Sequence, residues 1–407
     1  MNATRKIYAD YNASTPLHPQ VIKYLKERLD LDLWANPNSH HKMGKMLLDG
    51  INRCRTICAD SLAADTDSII FTSGASEGIS TIFHVICGNR DSNKDILLIS
   101  SIEHPAVSES ANYYKKFGYK VIKWPVNHHG EIDLNFIKSD LDNFKERVAM
   151  VAIMAANNES GVIQPIEEVG LYCERYSIPF FSDTTQLIAK EEFNFNKSAM
   201  DFAVISAHKF SGPIGVGAIL YKHHKPHLKK ILKENALILG GGQQEGLRSG
   251  TQNYLGIECM SVALRASIED YKESKKLLHK YRMRFENDLC AQFKNLIILG
   301  SGASRRLPQT TLLSYPGIYG PIIQQQLDSQ NIFVSTSAAC SDHSNSNHQQ
   351  KSAGIAQLMG YSEDVARGMI RVSLGGLDIV DNSEEIYKLL HLKFSQAILK
   401  LAKVGEW

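Results

Sequence analysis

The sequence predicts an α/β protein built on a mainly parallel sheet, with a second, smaller α+β domain. Three observations carry this. Between about residue 65 and residue 221, short apolar runs alternate with helix-like patterns, the rhythm of a chain that returns to one sheet through crossover helices. After Asn253 that rhythm stops, and residues 256–293 read as one charged, helix-rich connector. The length of 407 residues is also too great for one ordinary core, which makes two domains the natural expectation.

Taken in order, "SIIFTSG" (68–74) reads as a strand and turn before a helix near 77–88. "DILLISSIEH" (95–104) precedes a helix near 105–117, and "KVIKWPV" (120–126) follows it. "VAMVAIMAANNES" (148–160) precedes a helix near 165–176; "IPFFSD" (178–183), "DFAVISAHK" (201–209) and "GVGAILY" complete the series. In such sheets ligands gather at the carboxyl ends of the strands. The chemically interesting residues stand there: Ser73 to Ser76, Glu103 and His104, Asn157 to Glu159, Asp183, and Ser206 to Lys209. Beyond the connector, "LIILG", "TTLLSYP", "NIFVSTS" and "MIRVSLG" read as strands, with no internal repeat. The polar, aperiodic "SDHSNSNHQQKSAG" (341–354) directly after Cys340 reads as a mobile loop.

Composition excludes several classes. The apolar fraction of 43%, the charged fraction of 22% and the net charge of +2 are those of a soluble globular protein, without the basic stripe of a nucleic-acid binder. The opening "MNATRKIYADYN" has no apolar core of a secretory signal, and no apolar run approaches the roughly 18 residues that a membrane span needs. Seven scattered cysteines, an odd number, fit reduced thiols in a cytoplasmic protein. Cys54 and Cys58, four apart on a helix-like stretch, read as half-buried helix residues. Cys340 with His343 and His348, the pair His40 and His41, and the pair His128 and His129 do not close a four-ligand spacing, so no metal is expected.

The stretch "SAHKFSGPIGVGAIL" (206–220) puts Lys209 at the end of an apolar run and before a series of small residues. A lysine that must be desolvated to act as an amine nucleophile needs such framing; a solvated one does not. Pyridoxal phosphate requires an amine, a carboxylate at its pyridine nitrogen, an anion site for its phosphate and a flat group against its ring. Lys209 is the candidate amine and Asp183 the candidate carboxylate. The "SGAS" turn, Ser73 to Ser76, opens a helix whose N-terminus suits a phosphate. Ser206 and His208 could add donors, and His104 is the candidate for ring stacking and proton transfer.

With these residues in view, the chain resembles the pyridoxal-phosphate cysteine desulfurases, within the aminotransferase class V group of fold-type I enzymes. The resemblance runs nearly end to end: "YADYNASTPLHP" (8–19), "NPNSHHKMG" (36–44), "FTSGASEG" (71–78), "EHPAV" (103–107), "NNESGVIQPI" (157–166), "DTTQ" (183–186), "SAHKFSGPIGVGA" (206–218), "GGGQQEGLRSGTQN" (240–253), "STSAACS" (335–341) and "IRVSLG" (370–375). It implies a large cofactor-binding domain over residues 18–258 with a mainly parallel seven-stranded sheet. It also implies a small α+β domain from residues 1–17 and 259–407, which holds the connector helix and a catalytic cysteine loop at 335–354.

Residue by residue, the resemblance implies that Lys209 links covalently to the cofactor aldehyde, that Asp183 pairs with the pyridine nitrogen, and that Gln186 hydrogen-bonds the ring hydroxyl. His104 would stack on the ring, and Ala75, Ser76, Ser206 and His208 would bind the phosphate. Thr251 would reach the phosphate of a neighbouring subunit, which implies a homodimer. Asn36, Asn158 and Arg371 would hold the substrate carboxylate, the arginine through its two-pronged fork. Cys340 would take sulfur from L-cysteine as a persulfide, release L-alanine, and pass the sulfur to a protein acceptor whose identity the sequence does not name. Departures from the family pattern are Ser337 and Ala338 before Cys340, Ser76 where Thr is common, Gly78 where Asn, Asp or Ser often stands, and Gln252 where Glu is common. They mark a divergent branch. The rival readings are a selenocysteine lyase or another enzyme of the same class, and a cofactor-binding scaffold that docks a sulfur acceptor.

Overall fold

The computed structural model describes residues 6–31, 33–88, 93–336 and 354–404, with backbone alone at 377–382 and 403–404. A short β1 (Ile7–Tyr8) comes first, and each of the seven apolar runs of the alternating region then forms a strand: β2 (Ile69–Thr72), β3 (Ile96–Ser100), β4 (Lys120–Trp124), β5 (Val148–Ala152), β6 (Phe180–Asp183), β7 (Phe202–Ser206) and β8 (Gly217–Tyr221). These seven make one sheet in the order β2-β8-β7-β6-β5-β3-β4. The pairs β3–β4, β3–β5, β5–β6 and β6–β7 are parallel, whereas β8 runs antiparallel to both β2 and β7. The reversal has a local cause: residues 207–216 hold one turn of 3-10 helix and no crossover helix, and a parallel return requires a crossover. The expected seven-stranded, mainly parallel sheet is therefore present.

Helices cover both faces of this sheet, so its central strands are buried on both sides and read as continuous apolar runs rather than alternating ones. Phe180, Phe181 and Phe202 are fully enclosed. The edge strand β4 is the exception, with Lys120 and Lys123 exposed, as edge strands require. The helices expected near 77–88, 105–117 and 165–176 are Ala75–Gly88, Pro105–Tyr113 with a 3-10 turn at Tyr114–Phe117, and Ile166–Arg175. Around the large sheet, the helices Pro19–Asp30, Leu134–Phe144 and Pro226–Glu234 were not anticipated, and Lys42–Leu62 only as a helix-like stretch about Cys54 and Cys58.

The connector is a single helix, Tyr254–Gln292, of 39 residues, whose N-cap Asn253 accepts from the Gly256 N–H. Its first half gives Ile257, Met260, Ala263 and Leu264 to the core beneath the large sheet. Its second half gives Leu278, Tyr281, Phe285 and Leu289 to another core. That second core lies against β9 (Ile297–Leu299), β10 (Thr310–Ser314) and β12 (Met369–Ser373), an antiparallel sheet in the order β12-β10-β9. It is closed by the last helix, Gly376–Val404, through contacts such as Phe285 edge-on to Phe394. β1 pairs in parallel with β11 (Ile332–Phe333).

Gly78 shows why one departure from the family pattern is required here. A Cβ at this position would lie 2.8 Å from Val204 Cγ1 and 3.1 Å from Ile219 Cγ1, so the helix Ala75–Gly88 approaches β7 and β8 too closely for a larger residue. Cys54 and Cys58 are both buried in the core under the large sheet, and no disulfide occurs among the described residues. No helix among them is long and apolar enough to cross a membrane.

Candidate active site

Strand β7 delivers Lys209. The buried run Phe202–Ser206 ends in a 3-10 turn, Ala207–Lys209, closed by Phe210 N–H and Gly212 N–H to the Ala207 carbonyl. The N-terminal segment is stitched across this turn: Thr15 donates to the His208 carbonyl from both N–H and Oγ1 at 2.9 Å, and Ser211 N–H donates to Thr15 Oγ1 at 2.6 Å. Lys209 Nζ donates to the carbonyls of Asn12 and Ala13, each at 2.7 Å. Two backbone acceptors thus hold the amine.

The neighbouring strand ends supply the other groups. Asp183 ends β6, is 7% exposed and accepts from Thr185 N–H at 3.0 Å. His104 follows β3 and caps the helix Pro105–Tyr113, its Nδ1 accepting from Ala106 N–H at 3.1 Å, so the proton of the neutral ring sits on Nε2. One edge of His104 is open to solvent, yet the protein packed around the ring lowers its pKa, with Lys209 also lowering it and Asp183 opposing. That both Asp183 and Lys209 act on His104 puts the three around one space. His208 has its pKa lowered to about 4 by burial first, then by Lys209 and Lys190, and its Nδ1 lies 3.3 Å from Ser14 Oγ. It is a neutral imidazole near pH 7.

Ala75 and Ser76 begin the helix after β2. Gly74 before them has φ +153°, a backbone that side chains disfavour, and an added Cβ there would face Ser206 Oγ at 3.7 Å. Opposite, a Cβ on Gly217 would come within 2.8 Å of Gly74 Cα. Helix N-terminus, Ser206 and the β8 start therefore meet without side-chain bulk, a cradle for an anion. Glu77 in the first turn would repel a phosphate, but it is engaged by Arg248 at 2.9 and 3.2 Å and by Ser73 N–H at 2.8 Å. Burial pushes its pKa up, and these hydrogen bonds override that to a net lowering.

On the far wall, Arg371 of β12 donates from Nη2 to Asp10 Oδ1 at 2.6 Å and from Nη1 to the Asn158 carbonyl at 3.0 Å. Asn158 also accepts from Asn12 Nδ2 at 3.1 Å, so its backbone is what ties the wall together. Gln186 is buried beside Asn12 and donates to its carbonyl at 2.9 Å. Asn36 and Thr251 are both exposed, and they are neighbours through Asn38, which donates to Asn36 Oδ1 and to Gln252 Oε1, both at 3.1 Å. Cys340, and with it Ser337 and Ala338, lies outside the described residues. Of the histidine pairs weighed as metal ligands, His41 caps the helix Lys42–Leu62, and His128 bonds the Met359 carbonyl and packs on Tyr361.

Two carboxyls here gained no role from the sequence. Glu103 accepts at Oε1 from Ser100 Oγ and from Met154 N–H at 2.7 Å, while its Oε2 is sealed from solvent without a partner. Burial, against those two hydrogen bonds and with Asp183 adding, pushes its pKa from 4.5 up to about 8. Glu159 is pushed to about 7 by burial, with Arg371 pulling it down. The signal was present in the motifs "EH" and "NNES", but burial of a carboxyl cannot be read from a motif. A raised folded-state pKa means that the stability contribution is complete below pH 4.5 and is lost as the pH rises toward about 8. Glu103→Gln keeps the Oε1 acceptor and removes the titration. In thermal melts of the cofactor-free protein it is expected to gain a few degrees over wild type near pH 8 and little near pH 4.5. A pH-independent difference would show that Glu103 does not titrate in this way.

The donor set fits pyridoxal 5′-phosphate: a tethered amine, a buried carboxylate one strand away, a neutral imidazole above the same space, and an anion cradle at a helix start. A family model for aminotransferase class V matches residues 7–389. The chain belongs to that family. As a class V member it is a pyridoxal-phosphate-dependent enzyme, which agrees with the donor set. A protein named cysteine desulfurase IscS from Dictyoglomus turgidum is 31% identical over 371 residues, 91% of this chain and 90% of the relative. Among solved structures, a NifS-like protein superposes with a TM-score of 0.84 at 31% identity, covering 98% of this chain and all of the other. A structure titled SspA in complex with cysteine gives a TM-score of 0.74 at 26% identity, covering 91% and 99%.

Proposed function

We propose that this class V enzyme is a cysteine desulfurase that converts L-cysteine to L-alanine and carries the sulfur as a persulfide on Cys340. The observation that carries the reading is at the root of the cysteine segment. Ser335 exchanges both backbone hydrogen bonds with Arg371, at 3.2 and 2.8 Å, so the chain leading to Cys340 departs from the wall that includes the substrate-binding candidate. The cysteine desulfurase relative and the neighbour solved with cysteine support it.

When bound, pyridoxal phosphate supplies an electron sink for the substrate carbon. The protein does the rest. The helix start at Ala75 and Ser76, with Ser206 and neutral His208, holds the phosphate. Asp183 holds the pyridine proton, Gln186 bonds the ring hydroxyl, and His104 covers the ring. Arg371, with Asn36 and Asn158, receives the substrate carboxylate, which then shares the guanidinium with Asp10. Lys209 removes the α-proton. The Cys340 thiolate attacks the substrate sulfur; an S–S bond forms as the C–S bond breaks, the β-carbon that keeps the electron pair is protonated, and Lys209 returns a proton to the α-carbon to give alanine.

A homodimer through Thr251 is part of this reading, supported by the exposure of Thr251 and by Ile214 and Leu239, each 81% exposed on the flanking loops. A cytoplasmic location is inferred from the unpaired thiols. The sulfur acceptor is a protein. The test is turnover of the purified holoenzyme with L-cysteine, L-selenocysteine, and L-cysteine plus a keto acid. Equimolar alanine and sulfide from L-cysteine under reducing conditions is expected. Turnover confined to selenocysteine, or amino transfer to the keto acid, would replace this reading by one of its rivals, and no turnover at all would favour a scaffold.

A further inference from the structure

Lys190 is a buried amine for which the reaction outlined above has no use. It is 8% exposed and lies in the irregular turn after β6, one helical turn beyond Gln186. Burial draws its pKa well below the ordinary lysine value, and Lys209 and Arg371 add to that. Taking an amine out of water is unfavourable unless the group is tightly engaged. Among the described residues no acid engages it. A cavity of about 70 Å³ lies against both Lys190 and Lys209, and the carboxylate on its wall, Asp270, is taken by His18 at 2.9 Å. The partner of Lys190 is an amide: Nζ donates to Gln186 Oε1 at 2.7 Å.

The next links of the chain lead to the reacting lysine. Gln186 Nε2 donates to the Asn12 carbonyl at 2.9 Å, and the same oxygen accepts from Lys209 Nζ at 2.7 Å. A glutamine amide has an acceptor end and a donor end of nearly equal size, and its shape does not decide which way it faces. An amine or ammonium is a donor in either protonation state, so Lys190 claims Oε1 and leaves the NH2 on the side of Asn12 and Lys209.

We propose that Lys190 is a positioning residue that locks the Gln186 amide with its NH2 toward the cofactor's ring hydroxyl. The proposal rests on the reading of Gln186 as the partner of that hydroxyl. Without Lys190, Oε1 loses its donor and the hydrogen bond from Nε2 to the Asn12 carbonyl alone orders the amide, so its NH2 is held less firmly toward the hydroxyl. The effect appears in the cofactor's own titration, because a donor at the hydroxyl stabilises its ionised form.

The experiment compares holoenzyme carrying Lys190→Met, Lys190→Arg, Gln186→Leu and the double change Lys190→Met with Gln186→Leu. The readouts are the pH midpoint of the cofactor's visible absorption band and the dissociation constant for pyridoxal phosphate. Lys190→Met and Gln186→Leu are each expected to raise the midpoint by roughly half a unit or more. The double variant should shift no further than Gln186→Leu alone, because the two act on one hydrogen bond. Lys190→Arg keeps a donor, has the adjoining cavity to expand into, and should stay near wild type. Additive shifts, or a normal midpoint in Lys190→Met, overturn the positioning role while leaving Gln186 in place. A normal midpoint in Gln186→Leu overturns the assignment of Gln186 itself. If Lys190→Met does not fold, Lys190→Leu, which also removes the donor, is read in the same way.

Discussion

Lys209→Ala is expected to leave no cofactor–lysine adduct after borohydride reduction and to lower alanine formation from L-cysteine by about 10³-fold or more. In the reading above this one amine both bonds the cofactor aldehyde and takes a proton from the substrate carbon, so both functions fail together. Its surroundings make the expectation specific. Nζ is held by two backbone carbonyls at 2.7 Å, donated by a segment that is itself bound to the lysine turn through Thr15. Alanine removes the amine without disturbing those backbone links, so the variant should fold and should still bind pyridoxal phosphate reversibly through the helix start and Asp183. Mass spectrometry of the reduced protein measures the first effect and an alanine assay the second. An undiminished adduct would assign the covalent link to another amine, with Lys190 the nearest alternative.

Cys340→Ser is expected to keep the cofactor's absorption spectrum and its affinity, yet to release neither alanine nor sulfide above background. A hydroxyl at pH 7 is a far poorer nucleophile toward sulfur than a thiolate. Because Cys340 does not belong to the cofactor cradle in this reading, loss of turnover with an unchanged spectrum separates sulfur transfer from cofactor binding. Sustained turnover in the serine variant would mean that sulfide leaves without a protein-bound persulfide. Labelling of wild-type protein with a persulfide-selective alkylating reagent after exposure to L-cysteine, followed by peptide mapping, gives the positive counterpart.

Lys209, Asp183, His104 and the Ser73–Ser76 turn were legible because each follows an apolar run that could only be a buried strand, and parallel sheets present their strand ends on one side. The same logic made all seven strands of the large sheet readable. The helix Pro19–Asp30 was missed and Lys42–Leu62 was read only as a helix-like stretch about Cys54 and Cys58, although both are amphipathic: they lie outside the strand–helix alternation that organised the reading. The Lys190–Gln186 hydrogen bond was invisible: in an irregular turn, a spacing of four residues carries no period that distinguishes a contact from a coincidence.

The sequence by itself determined the sheet, the order of the chemical groups along it and, through its motifs, the family. These follow from local patterns, in which neighbouring residues dictate strand, turn or helix. Only the tertiary structure decided how the site is closed. Asn12 meets Lys209 across nearly half of the chain's length, and Asp10 meets Arg371 across most of it. Glu103 and Lys190 acquire shifted proton affinities because distant segments exclude water from them. Burial is a property of everything that packs around a group, and no stretch of sequence contains all of it.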